Sequence, residues 1–270
     1  MKGLYGLLGE KLVHSFSPQI HSLIFKELKI NGYYHLFEVH KEDIEHIVPG
    51  FKIFKVQGVN VTIPYKVIVM NYIDDISFEA KNIGAINTIC FENGKTKGYN
   101  TDYYGFGMML EKFNIDVEGK NIVILGTGGA SKAVNQYLLD NKVNNITFVT
   151  RDLDNKRKEL KEYNLISYSD IKNLKNQDIV INCTPCGMYP DIEKSPLTEE
   201  QVSKFKIVVD LIYNPQETLI MKYAKNQGIK VINGLYMLVG QAVKSQELWN
   251  SLKIKKELVD KIYENMKILL

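Results

Sequence analysis

The sequence predicts a two-domain α/β protein whose sheets are mostly parallel. Three observations carry that expectation. Apolar runs of strand length alternate with helix-period segments along the chain. A Gly-rich turn joins an apolar strand to a helix near residue 126. The 270 residues suffice for two cores of ordinary size.

Composition narrows the function classes. A net charge of +3, with no run of Lys and Arg, argues against a nucleic-acid partner. No apolar run reaches the roughly 18 to 20 residues of a membrane span, so no membrane partner is expected. Cys90, Cys183 and Cys186 are an odd number in a chain with no signal-peptide pattern. That points to the cytoplasm and to no structural disulfides. Arg151 and Arg157 are the only arginines among the 34 basic residues, which makes each easy to weigh.

In order, a buried strand over 3–8 ends in a turn at Gly9. His14-Ser-Phe-Ser-Pro18 then opens a helix, with Ser17 as N-cap and Pro18 at the first helical position. Ser15 and Ser17 thus lie in a strand-to-helix loop, either capping the helix or meeting a ligand. A strand over 33–39 and a short helix over 41–48 follow. The next strand, 56–62, is stopped by Pro64, which cannot donate to a sheet ladder. Asn60-Val-Thr-Ile-Pro-Tyr-Lys66 therefore delivers Asn60, Thr62 and Lys66 at or past the carboxyl end of a strand, the edge where open α/β sheets bind ligands. A helix-like run covers 65–72. Strands over 85–91 and 97–100 flank the hairpin signal Glu92-Asn-Gly-Lys95, which brings Asn87-Thr88 near Asn100-Thr-Asp102. Lys66 alone would read as a solvated lysine; with Thr62, Asn87 and Asp102 it reads as part of a site. A linking helix spans 103–113.

The second half opens on Asn121-Ile-Val-Ile-Leu125, suited to a central parallel strand. Gly126-Thr-Gly-Gly-Ala-Ser131 follows, then a helix through Leu139. Gly126 and Gly128 fill the first two positions of a dinucleotide fingerprint, and Ser131 replaces the third glycine. Such a turn lets backbone and a helix N-terminus hold a pyrophosphate, as in a Rossmann-type doubly wound domain. Strands over 146–150, 179–183, 207–211 and 230–232 and a helix over 217–226 continue the alternation, and helices over 238–252 and 255–269 end it. The domains are expected at 1–102 and 103–237, with 238–270 returning to the first.

The strand after the Gly-rich helix ends Val149-Thr150-Arg151-Asp152. Arg151 sits where a guanidinium would hold the 2′-phosphate of NADP; Asp152, if turned inward, would favour NAD. NADP is the expected cofactor. Cys183-Thr-Pro-Cys186 has the form of a redox or zinc motif but ends an apolar strand and lacks a second pair. It reads as small residues beside the cofactor. His14 and His21 straddle a helix start, and no metal is expected.

Taken together these motifs resemble the shikimate dehydrogenase family over nearly the whole chain. The resemblance implies that Ser15 and Ser17 bind a shikimate carboxylate. It implies that Thr62, Asn87, Asp102, Tyr213 and Gln241 contact the substrate, and that Lys66 and Asp102 are catalytic. It implies cofactor contacts from Gly126, Thr127, Gly128, Gly129, Ala130, Thr150, Arg151, Thr184, Leu211 and Gly234. Asn182-Cys-Thr-Pro-Cys-Gly-Met188, Asp210-Leu-Ile-Tyr-Asn-Pro215 and Gly234-Leu-Tyr-Met-Leu238 carry the second-half match. Thr150-Arg-Asp152 departs from the family's common Asn-Arg-Thr. The implied reaction is reversible NADPH-dependent reduction of 3-dehydroshikimate to shikimate, in chorismate and aromatic amino-acid biosynthesis. The implied partners are a small-molecule substrate and a second copy of the chain as a homodimer. The rival readings are an NAD-dependent quinate/shikimate dehydrogenase and a non-catalytic dinucleotide sensor.

Overall fold

By its packing the chain divides into two units, 1–106 with 238–269, and 107–237. The computed structural model describes residues 3–13 and 15–269, apart from the side chains of Lys158 and Glu159. His14, which opens the serine motif, lies outside the described residues.

The first unit contains β1 (Gly3–Gly9), α1 (Ser17–Leu28), β2 (Gly32–Glu38), α2 (Ile44–Ile53), β3 (Gly58–Val61), β4 (Asp75–Ile76), α3 (Phe78–Ile83), β5 (Thr88–Glu92) and β6 (Lys95–Tyr99). Its sheet runs β2-β1-β3-β5-β6-β4. β2, β1 and β3 are parallel, whereas β5 is antiparallel to both β3 and β6. Leu8, Val59, Val61, Ile86 and Ile89 form the heart of its core, with Ile44, Val48 and Phe51 of α2 packed on them. That i, i+4, i+7 stripe keeps α2 intact through Pro49, although Pro49 removes a helix hydrogen bond, so the helix outruns its expected end at 48. The helix-like run expected over 65–72 is instead a turn followed by a 3-10 segment, Ile68–Tyr72. Only Val69 of that segment is buried, too little apolar stripe to hold an α-helix.

α4 (Thr101–Lys112) and, later in the chain, α9 (Leu235–Asn250) each carry the chain across a unit boundary. The second unit holds β7 (Asn121–Leu125), α5 (Gly129–Asp140), β8 (Asn145–Val149), α6 (Leu153–Glu159), β9 (Asn164–Ile166), β10 (Ile179–Asn182), α7 (Glu199–Val202), β11 (Ile207–Asp210), α8 (Leu219–Asn226) and β12 (Lys230–Asn233). All six strands are parallel, in the order β12-β11-β10-β7-β8-β9. This is the doubly wound order whose switch point, between the first and fourth strands, is a ligand crevice. Here those strands are β7 and β10.

α10 (Lys256–Leu269) belongs to the first unit. So does the only tryptophan: Trp249 of α9 donates its indole N–H to the Ile89 carbonyl at 3.0 Å. Its ring lies so close to Gly58 that a Cβ there would come within 2.3 Å of it. β3 therefore carries a glycine where α9 presses a large ring on the sheet.

Candidate active site

Lys66 and Asp102 meet directly. Lys66 Nζ lies 2.6 Å from Asp102 Oδ2, with side-chain exposures of 18% and 14%, so the pair is sheltered and still reachable. Two local features fix it. Ile86 N–H donates to the Lys66 carbonyl, tying the turn after β3 to the start of β5. Asp102 sits in the first turn of α4, where the helix dipole favours a carboxylate.

Asn87 is held beside them. Its Oδ1 accepts from the Thr101 backbone N–H at 2.6 Å and from the hydroxyls of Thr101 and Thr88 at 3.1 Å. A backbone N–H can only donate, so the atom it meets must be the amide oxygen. The orientation is thereby settled, and among the described residues no protein group takes Asn87 Nδ2. Asn87 thus caps α4 with one end of its amide and offers a donor with the other.

Asn60 lies at the carboxyl end of β3, as expected, but faces inward. It is 5% exposed, and its amide is spent inside the protein: Nδ2 donates to Ser245 Oγ at 2.8 Å and Thr88 Oγ1 at 3.0 Å, while Oδ1 accepts from the Tyr34 hydroxyl at 2.9 Å. It is the second residue from the end of β3, and its side chain turns into the sheet-to-helix layer. Ser17 contacts the other side of the Tyr34 hydroxyl, which burial holds above the usual tyrosine range. A chain of polar groups therefore runs from Ser17 through Tyr34 and Asn60 to Ser245, whose hydroxyl donates to the Gln241 carbonyl. Tyr34 and Ser245 escaped the sequence reading, and Thr101 entered it only as part of Asn100-Thr-Asp102. Only Ser245 left a signal, a polar residue inside an apolar helical stripe.

The serine loop is also adjusted. Phe16 is the N-cap and Ser17 the first helical residue; Ser15 Oγ accepts the Ser17 N–H at 3.2 Å. Ser15 thus does the capping that Ser17 was expected to do. Thr62 follows β3, and its N–H donates to the Leu8 carbonyl at the end of β1. Gln241 is buried and donates its own amide to the Leu238 carbonyl. Tyr213 belongs to the second unit, half-buried, and burial raises its hydroxyl pKa.

In the second unit every residue expected to touch a dinucleotide lies at the carboxyl edge of the sheet. Gly126 follows β7 at φ +92°, a left-handed backbone that only glycine adopts freely. Gly128 is the N-cap of α5, which has no side-chain cap, and a Cβ on Gly128 would meet open space. That open cradle at a bare twelve-residue helix N-terminus fits a pyrophosphate. Ser131, at the third glycine's place, is buried and turns its hydroxyl back to the Gly128 carbonyl at 2.6 Å. Beyond β8, Asp152 caps α6, accepting from the Asn155 backbone and side chain, and does not turn inward. Arg151 is left at the strand end, lining a pocket of about 480 Å³ with Thr184. Thr150 is buried and accepts the Asp152 N–H.

Beneath this edge lies a second buried network. Thr184 donates to Asn182 Oδ1 at 2.6 Å, and Asn182 donates to Asp210, which also accepts from Thr218 and the Ile212 N–H. Burial pushes the Asp210 carboxyl up to about 6 even against these bonds. The folded state thus holds the proton more tightly than the unfolded chain. The stability from this group is full below the unfolded pKa near 3.8 and is lost as pH rises to about 6. Asp210→Asn keeps the acceptors for Asn182 and Ile212, and the Thr218 hydroxyl can reverse. Thermal melts should show the variant stabilised by about 2–3 kcal/mol near pH 7.5, with the gain falling to about 0.5 kcal/mol near pH 4. A gain equal at both pH values would contradict the assignment. Cys183 and Cys186 are free thiols raised by burial, and among the described residues no cluster of three or more His, Cys, Asp or Glu side chains could hold a metal ion.

Comparison with known proteins agrees with this geometry. A family described as the shikimate dehydrogenase substrate binding domain matches residues 7–89, and one described as C2185-like, N-terminal matches 118–208. A shikimate dehydrogenase (NADP(+)) of Clostridium perfringens is 48% identical over 266 residues, 98% of each chain. The structure of a chorismate mutase/shikimate 5-dehydrogenase fusion protein from Clostridium acetobutylicum is 50% identical, with a TM-score of 0.97 over 99% of this chain and 98% of that one. A shikimate dehydrogenase solved in complex with NADP+ is 36% identical, with a TM-score of 0.88 over 98% of this chain and 96% of that one.

Proposed function

The chain belongs to the shikimate dehydrogenase family, and from that premise we infer that it catalyses the reversible reduction of 3-dehydroshikimate to shikimate with NADPH. The observation that carries the chemistry is the 2.6 Å contact between Lys66 Nζ and Asp102 Oδ2.

When bound, NADPH supplies the hydride, and the protein must orient the carbonyl and handle one proton. Lys66 does the second task. Its ammonium is a donor only, aimed by Asp102, and gives a proton to the carbonyl oxygen as negative charge develops there. Asp102 accepts a hydrogen bond from a ring hydroxyl and holds Lys66 in place. Asn87 Nδ2 donates to another hydroxyl, and Ser15, Ser17 and Thr62 supply hydroxyls for the rest of the substrate. Tyr213 and Gln241 complete the substrate set. In the reverse direction Lys66 takes the proton back. Gly126, Thr127, Gly128, Gly129 and Ala130 would hold the pyrophosphate, Thr150 and Arg151 the adenosine end, and Thr184, Leu211 and Gly234 the remainder.

Asp152 is committed to α6, so the departure from the family's Asn-Arg-Thr leaves the phosphate role of Arg151 intact. Arg151→Ala should lower kcat/KM for NADP+ by roughly ten- to a hundredfold and change NAD+ far less. Equal losses for both cofactors would remove Arg151 from the phosphate site. Shikimate and quinate, each assayed with NADP+ and NAD+ by nicotinamide absorbance, test the whole reading. Turnover of quinate with NAD+ above that of shikimate with NADP+ would overturn it, and ligand-induced thermal stabilisation without turnover would mark a sensor. The same reading makes the enzyme cytoplasmic, in keeping with three free cysteines, and homodimeric, with β2 as an open sheet edge.

A further inference from the structure

We propose that Lys194, facing Arg151 across one pocket of the second unit, is a second cation for the 2′-phosphate and sets how strictly the enzyme prefers NADP. The proposal rests on the NADP reading above and adds a residue that the dinucleotide fingerprint does not contain.

The pocket, about 480 Å³, is walled on one side by Arg151 after β8 and Tyr168 after β9. Its other wall is the long loop after β10, through Thr184, Cys186, Asp191 and Lys194. The two walls flank the carboxyl end of β7, which lies between β8 and β10 in the sheet. Both cations bear on the same sulfur: burial raises the Cys186 thiol, and Lys194 and Arg151 each pull it down. Tyr168, raised by burial, is also pulled down by Arg151.

Lys194 is placed by the fold of its loop. Gly187 adopts φ +98°, and a Cβ there would stand 2.9 Å from the Lys194 carbonyl, so the loop doubles back with Lys194 against its own start. The Thr218 side chain, anchored on Asp210, packs behind Gly187. The ammonium itself is 2.9 Å from Asp191, but both side chains are more than 60% exposed. Such a surface pair holds weakly. A phosphate dianion offers Lys194 a stronger partner, with the guanidinium taking two oxygens and the ammonium acting as a point charge opposite. Asp191, in the same pocket, is then a repulsive charge that dinucleotides carrying the phosphate must overcome.

The test compares Lys194→Gln, Asp191→Asn and Arg151→Ala in the full-length enzyme, reading kcat/KM for NADP+ and NAD+ and inhibition by 2′-AMP against 5′-AMP. Lys194→Gln should lower the NADP+ to NAD+ preference about tenfold and weaken 2′-AMP inhibition in step, and Asp191→Asn should raise the preference about threefold. An unchanged preference in Lys194→Gln, with Arg151→Ala still selective, would overturn the role of Lys194 alone. Equal losses for both cofactors would make Lys194 a structural residue. If Arg151→Ala were also unselective, the phosphate assignment of the whole pocket would fall, and Lys194 with it.

Discussion

Lys66→Ala should lower kcat by about a thousandfold, within the range of a lost general acid–base group, while leaving the dissociation constant for NADPH within about twofold. The reasoning is local. The Lys66 ammonium touches Asp102, and every residue assigned to the cofactor belongs to the other unit. The variant also strands a sheltered carboxylate, so part of the loss will show as a higher KM for shikimate. Asp102→Asn separates the two effects. If the pair acts as one device, the double variant should be scarcely slower than the worse single variant. Full additivity in the double-mutant cycle, or unchanged turnover in Lys66→Ala, would take the pair out of the mechanism.

Gly234→Ala should be the most damaging single methyl in the second unit. A Cβ at Gly234 would lie 1.9 Å from the Leu211 carbonyl oxygen and 2.4 Å from its carbon. Both are backbone atoms, and the Gly234 N–H donates to the neighbouring Ile212 carbonyl at 3.0 Å, so neither strand can retreat cheaply. The expected cost is on the order of 3 kcal/mol or more, with loss of cofactor binding, because Leu211 and Gly234 are both assigned to that site. A variant melting within about two degrees of the parent would mean that the β11 and β12 ends yield easily. Gly58→Ala is a control with a softer obstacle, since the atoms in its way belong to the Trp249 side chain.

Much of the second unit was legible because buried parallel strands are unbroken apolar runs. β7 falls on the expected 121–125, and β8 and β10 end within one residue of expectation. What escaped was short. β4 has two residues and β9 three, and each exists because a neighbouring strand is there to pair with it. Asp152 was weighed for cofactor choice, while its signature as the cap of α6 went unread. In the first unit the hairpin turn placed Asn87 near Asp102, and the fold brings both to one end of β5 and α4. Asn60 stands at the carboxyl end of β3 as expected, but strand alternation does not tell which face carries ligand and which carries a helix. Its partners Tyr34 and Ser245 lie 26 and 185 residues away, a distance over which local pattern holds no information.

The ring that α9 sets against Gly58 has an optical consequence. Trp249 is the sole indole, so emission excited at the red edge of protein absorption reports the melting of the first unit alone, while circular dichroism reports both. Coincident transitions would show that the two halves unfold together. A lag between the signals would give each half its own midpoint without any label being introduced.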